Sequence, residues 1–255
     1  VLAVTIDNGF ISPQAFKNIQ VTTEAVGAES IVIRPRKDVL THVYASVLAN
    51  NPYPAKAIER ASSICNACIG IVKDATLRVG LEKKIPMIVY GWSPGQAPIS
   101  AALFRMNGAM LRQMHNARSS PLIAIAGDQL GPYLLNESHF EGNDLPYNVN
   151  LLAFHEYHAS DIVAQVEKLG WIAPTDTDGS SSNCLLNGFA SRVHIAQHGF
   201  HPYAFEVAAL VRSRAMTREE GLASLADLGD DAIAEKVAAQ LGHPVSLGTN
   251  ASIGV

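Results

Sequence analysis

Apolar, mostly β-branched residues run without interruption through Val1-Leu2-Ala3-Val4-Thr5-Ile6, the pattern of a strand buried on both faces of a parallel sheet. The pattern returns at Ser30-Ile31-Val32-Ile33-Arg34 and at Ile85-Pro86-Met87-Ile88-Val89-Tyr90-Gly91. Between these runs the spacing turns helical. Ser12-Pro13 offers a cap and a first-turn proline for a helix to about Val26, closed by Gly27. Asp38 is expected to cap a second helix through about Ala49, broken by Asn50-Asn51-Pro52-Tyr53-Pro54. A third, nearly apolar all round, is expected from about Ala57 to Lys83. Strands alternating with helices of this length predict βαβ units: an α/β fold with a parallel sheet and helices on both faces.

Beyond residue 98 the alternation stops. Ile99 to about Asn116 reads as a helix carrying Arg105 and Arg112; Pro121 to Leu135 is apolar without a decisive period; Leu151 to Tyr157 fits a short strand or a helix start. From Asn183 onward the signals are helical. Thr217-Arg218-Glu219-Glu220 is a capping box ahead of Gly221 to Leu228, and Asp230 or Asp231 opens a helix to Leu241. The expected organisation is an α/β domain over 1–98 and a mostly helical extension over 99–255, with Gly242 to Val255 as a tail or arm. A buried strand as first element, without an initiator methionine, leads us to expect further chain before Val1.

With 255 residues, 48% of them hydrophobic and 16% charged, the chain is long enough for one full core and a smaller appendage. A net charge of −4 argues against a generally basic, nucleic-acid-binding surface. No apolar run approaches the roughly 20 residues of a membrane span. A cytoplasmic protein is expected, where thiols stay reduced and can hold metal.

That expectation matters for Cys65 and Cys68, two of three cysteines, which stand one helical turn apart on the third helix. Cys184 follows far downstream, after the polar run Asp176-Thr177-Asp178-Gly179-Ser180-Ser181-Ser182-Asn183, and its loop-forming neighbours allow it to return to the pair. Three chemistries compete. One is a structural disulfide; another is a closed zinc site completed by His155, His158, His194 or His198. The last is an iron–sulfur cluster held by three thiolates with one iron open.

Ligands of such sheets bind beyond the carboxyl ends of the strands. Here those ends are Asp7-Asn8-Gly9-Phe10, Arg34 to Arg36, and the loop Gly91-Trp92-Ser93-Pro94-Gly95-Gln96. Asp7 is placed for a magnesium or substrate role. Arg34, Arg36, Lys37 and Lys73 are candidates to meet a pyrophosphate or another anion. His155-Glu156-Tyr157-His158 and His194-x-x-x-His198 have metal-compatible spacing but lack a zinc-protease pattern, so ordinary histidines are the plainer reading.

The strand Ile31-Val32-Ile33, Cys65-x-x-Cys68 on the following helix, the strand Met87 to Gly91 and the distant Cys184 together resemble the PP-loop ATP pyrophosphatase superfamily. Within it the cysteine placing is similar to the iron–sulfur tRNA 2-thiocytidine synthetases. Asp7-Asn8-Gly9-Phe10, and Gly199-Phe200-x-Pro202 leading to Arg218-Glu219-Glu220, are similar to N-acetyl sugar amidotransferases. The resemblance implies an adenine nucleotide alpha hydrolase-like fold and an adenylating enzyme using ATP and Mg2+. In the sulfur branch, a [4Fe–4S] cluster on Cys65, Cys68 and Cys184 carries sulfide to a small molecule or a tRNA base. In the nitrogen branch, a partner glutaminase delivers ammonia to a sugar. Asp7, Asn8, Gly9, Phe10, Arg34, Gly91 and Trp92 are the implied cofactor-binding positions. A sulfur donor or glutaminase is the implied partner, a homodimer is left open, and a non-catalytic zinc-stabilised binding module is the alternative outside enzymes. The family's Ser-Gly-Gly-x-Asp-Ser phosphate loop is not found in this chain, and Val1 would begin the strand just after it.

Overall fold

Ser12 and Pro13 start the first helix as their chemistry dictates: the Ser12 hydroxyl accepts from the Ala15 amide, and α1 runs Pro13–Ala25. It connects β1 (Leu2–Ile6) to β2 (Glu29–Ile33), which pair in parallel from Leu2 opposite Glu29 to Ile6 opposite Ile33. The computed structural model describes residues 1–97, 99–142 and 144–243; the expected tail therefore lies, from residue 244, outside the described residues. Next come α2 (Lys37–Ala49), α3 (Ala55–Ile58) and α4 (Ser63–Glu82). The middle of the chain supplies β3 (Met87–Tyr90), β4 (Leu103–Arg105), α5 (Gly108–Ala126), α6 (Glu137–Phe140) and β5 (Tyr147–Asn150). It closes with α7 (Ala159–Glu167), α8 (Leu186–His198), α9 (Ala204–Arg212), α10 (Arg218–Ala226) and α11 (Asp231–Leu241).

The fold is mixed α/β, but the single parallel sheet expected from three matching strands is not formed among the described residues. β1 and β2 make one two-stranded sheet; β3 pairs in parallel with β5, and β4 runs antiparallel on the other side of β5. β1 is half-buried rather than buried on both faces. An apolar strand states that it will be covered, not by what. Four boundaries also move. The cysteine helix starts at Ser63, because the Ser62 hydroxyl accepts from the Cys65 amide and ends the preceding turn. Arg36, not Asp38, is the N-cap of α2; Asp38 sits in its first turn and pairs with Arg36 at 2.5 Å. The helix expected from Ile99 is instead a short 3-10 turn, β4, and α5, whose Asn107 cap accepts from the Met110 amide. The unassigned stretch from Pro121 is the last part of α5 and two 3-10 turns. In the last quarter the capping signals hold: Thr217 and Glu220 form the capping box of α10, and Asp230 caps α11.

The main core is built by α2, α4, α5, α8 and α11. Val43, Tyr44, Val47, Ile64, Ala67 and Leu122 are fully buried, packed with Phe189, Val237 and Leu241. Each large aliphatic side chain buried there contributes roughly 1.5–3 kcal/mol. Both halves of the chain enter this core, and Cys65, Cys68 and Cys184 pack against its edge. α4 and α5 pack directly at Gly70, where a Cβ would come into ordinary contact with the Arg118 carbonyl oxygen at 3.4 Å. No helix among the described residues is long and apolar enough to cross a membrane.

Candidate functional site

α4 is apolar on two sides because it has two things to cover. Ile64, Ala67, Ile71 and Ala75 enter the core. The other stripe, Cys65, Cys68, Ile69, Val72 and Lys73, forms a wall of a cavity of about 840 Å³. β1 and the turn after it supply Val4, Thr5, Ile6 and Asn8; the loop after β3 supplies Trp92, Gln96 and Ala97; β5 supplies Asn148 and Asn150. Arg118 of α5 and Glu206 of α9 complete it with the segment holding Cys184 and Asn187. The cavity thus lies between the two sheets, bounded by the carboxyl ends of β1 and β3.

All three cysteines line this cavity as free thiols. Asn8 Nδ2 lies 3.6 Å from Cys68 Sγ and 3.6 Å from Cys184 Sγ, so these two sulfurs are at most twice that distance apart. Asn8 is itself fixed: its Oδ1 accepts from the Phe10 amide at 2.9 Å. The Tyr44 hydroxyl, buried and without an oxygen or nitrogen partner, stands beside Cys68. The Cys65 thiol donates to Asn187 Oδ1 at 3.5 Å. Asn187 is held by Tyr203, whose hydroxyl donates to the same oxygen at 2.9 Å, and by Asp178, whose oxygens accept from Nδ2 at 2.9 and 3.1 Å.

Burial pushes the Cys65 and Cys184 thiols up to about 12, with the neighbouring sulfurs adding repulsion. Cys68 is raised by burial too, against the opposing pull of the Asn8 and Tyr44 donors. At neutral pH these are protonated thiols, not nucleophiles. A metal centre would deprotonate them on binding. Among the described residues, no group of three or more His, Cys, Asp or Glu side chains is arranged to hold a metal ion.

The opposite end of the cavity is cationic. Lys73 Nζ lies 5.1 Å from the Trp92 ring centroid and 5.8 Å from that of Tyr90, and the two rings stack at 5.9 Å. Burial pulls Lys73 down to about 8, with Arg118 contributing repulsion. Arg118 is lowered by its own burial. Glu206, the carboxylate lining the cavity, is raised by burial and accepts from the Ser93 hydroxyl at 2.9 Å. A Cβ on Gly95 would stand 2.6 Å from the Glu206 carbonyl oxygen, so only glycine lets this loop lie against α9.

Of the cofactor-binding positions expected from sequence, Asn8 and Trp92 line the cavity; Asp7, Gly9, Phe10, Arg34 and Gly91 are not among its lining residues. Asp7 is committed to Arg34 at 3.1 Å and to the Gly9 amide at 3.0 Å. Phe10 is a core residue against Tyr44. The histidines weighed as a fourth ligand, His155, His158, His194 and His198, do not line the cavity either. His194 is buried against His198 and Phe200, with ring centroids at 4.6 and 4.9 Å. Sequence reasoning passed over Arg118, Asn148, Asn187, Tyr203 and Glu206. The signal for Asn148 and Asn150 was legible in retrospect: two polar residues alternate with Val149 on a strand, so one strand face is polar. Asn187 stands three residues after Cys184. Arg118 and Glu206 carry no local signal.

No family model matches the chain, and no curated protein or solved structure matches it.

Proposed function

We propose that this chain is an ATP-dependent adenylating sulfurtransferase of the PP-loop type, using Cys65, Cys68 and Cys184 to hold a [4Fe–4S] cluster. One observation carries the reading: three cysteines from two distant segments line one cavity, with the side-chain NH2 of Asn8 facing two of the sulfurs. The donors fit such a group, since hydrogen bonds to ligating sulfurs stabilise their anionic form. A zinc site of three cysteines and one histidine would need a histidine in the cavity, and none of the four candidates lines it. Cys65, Cys68 and Cys184 would hold the cluster through three thiolates, and it would supply an iron able to take an exogenous sulfur ligand.

The residues of the chain then have distinct tasks. Cys65, Cys68 and Cys184 surrender protons, which their buried setting otherwise retains. Asn8 steadies the charge gained by Cys68 and Cys184, and Asn187 Oδ1, locked as an acceptor by Asp178 and Tyr203, holds the Cys65 proton until that thiol ligates. The strand ends and the Trp92 loop face the same space, where α/β folds receive ligands. There an acceptor oxygen attacks the α-phosphate of ATP, pyrophosphate leaves, and sulfide displaces AMP.

Anaerobic purification with iron and sulfide analysis tests the reading. The expected result is a brown protein with about four irons per chain, as the cluster stoichiometry requires, and loss of colour in Cys65→Ala, Cys68→Ala and Cys184→Ala. Stoichiometric zinc in a colourless protein, or colour surviving the triple substitution, would overturn it.

A further inference from the structure

Lys73 and Arg118 share one half-buried wall of the cavity, and no ion pair joins either to a carboxylate among the described residues. Asp74, whose charge acts on Arg118, is occupied: His115 Nδ1 donates to it at 2.6 Å and Ser119 Oγ at 2.8 Å. Glu206 answers instead to Ser93, Gln96 and Arg60. Two cations that repel each other in a poorly solvated wall are unfavourable unless an anion joins them. The Tyr90 and Trp92 rings hold Lys73 in place through their faces, as a carboxylate otherwise would, and leave its N–H donors unspent. Asn148, which also lines the cavity, makes no side-chain hydrogen bond among the described residues.

We infer that Lys73, Arg118, Trp92 and Asn148 form a phosphoryl-binding subsite of the cavity, taking the phosphate end of a small phosphorylated ligand. The separation from the cysteines sets its size. Lys73 follows Cys68 by five residues and Cys65 by eight on one helix, about 7 and 12 Å along the axis. A sugar phosphate or a nucleotide spans that distance; free phosphate does not. The inference names the substrate class of the site proposed above and rests on that cavity being the active site.

Binding of inorganic pyrophosphate, ATP and glucose 1-phosphate is measured without turnover or cluster, so its outcome is independent of iron content. Trp92 fluorescence is the readout, in a Trp171→Phe background because the chain has two tryptophans. Saturable binding is expected, weakened roughly tenfold or more in Lys73→Met and in Arg118→Met and nearly retained in Lys73→Arg, because a charge-assisted contact is lost or kept. Affinity should fall above pH 8, as Lys73 loses its proton. Arg112→Met, whose guanidinium pairs with Glu137 outside the cavity, should bind like the parent. The two methionine variants should melt no lower than the parent, which separates lost binding from lost folding. Tightest binding by ATP assigns the phosphoryl group to the nucleotide; binding of glucose 1-phosphate as tight as that of ATP assigns it to the acceptor, and both outcomes keep the subsite. No saturable response to any of the three, or equal binding by parent and methionine variants, overturns it.

Discussion

The two ends of the cavity solve the problem of buried polarity in opposite ways. At the sulfur end the thiols are protonated and set in a hydrogen-bond network: Cys65 donates to Asn187, Asn187 answers Asp178 and Tyr203, and Asn8 spans Cys68 and Cys184. At the other end Lys73 and Arg118 repel each other, and no ion pair joins either to a carboxylate among the described residues. α4 runs through both ends, carrying Cys65 and Cys68 at one and Lys73 at the other. The difference lies in what is still missing: protons must leave the sulfur end before it binds a cation, while the basic end is ready for an anion.

The largest way to break this comparison is to cut the joint holding both ends in register. Asp74 accepts from His115 and Ser119 of α5 and from the Leu135 amide, on the core side of the helix that carries Cys65, Cys68 and Lys73. Asp74→Ala is expected to cost roughly 3–5 kcal/mol, as loss of one partner in a buried charged network does, read as the shift in a urea unfolding curve. An unchanged midpoint would deny the joint.

Acid should strike next, and at the sulfur end first. Burial holds His194 and His201 down to about 4 in the folded chain, below the ordinary histidine value. The unfolded chain therefore binds protons that the folded one refuses. Stability present above about pH 6.5 is lost as pH falls towards 4, on the order of 2–3 kcal/mol per histidine. His201 Nδ1 accepts from the Tyr203 amide, next to the hydroxyl that orients Asn187, so hydrogen exchange at Tyr203 should rise before exchange at Arg118. Uniform loosening would contradict the asymmetry. The smallest effect sharpens the contrast. Asn8→Leu removes one donor and should lower metal affinity by about tenfold to a hundredfold, leaving pyrophosphate binding at Lys73 and Arg118 unchanged.

Some of this was legible before any fold was known. Ser12-Pro13, Thr217 with Glu220, and Asp230 act within one helical turn, so local chemistry decides where those helices begin. The Cys65–Cys68 pair on one face follows from the helical period, and the place of Asn8 and Trp92 in the cavity wall follows from their position just beyond strand ends. Other features had no local cause. Met87–Tyr90 reads as a strand like Leu2–Ile6, yet it pairs with Tyr147–Asn150, because an apolar run does not specify its neighbour. Asp7 looked free for a cation until Arg34 was found against it.

By itself, the order of residues determined helix starts, the two-sided apolar character of α4 and the meeting of two thiols, since each depends on neighbours a few positions away. Tertiary structure alone decided that Cys184 joins them, that Arg118 faces Lys73, and that their carboxylate partner is absent among the described residues. Those are relations between segments far apart in the chain, and they arise only when packing closes the loops between them.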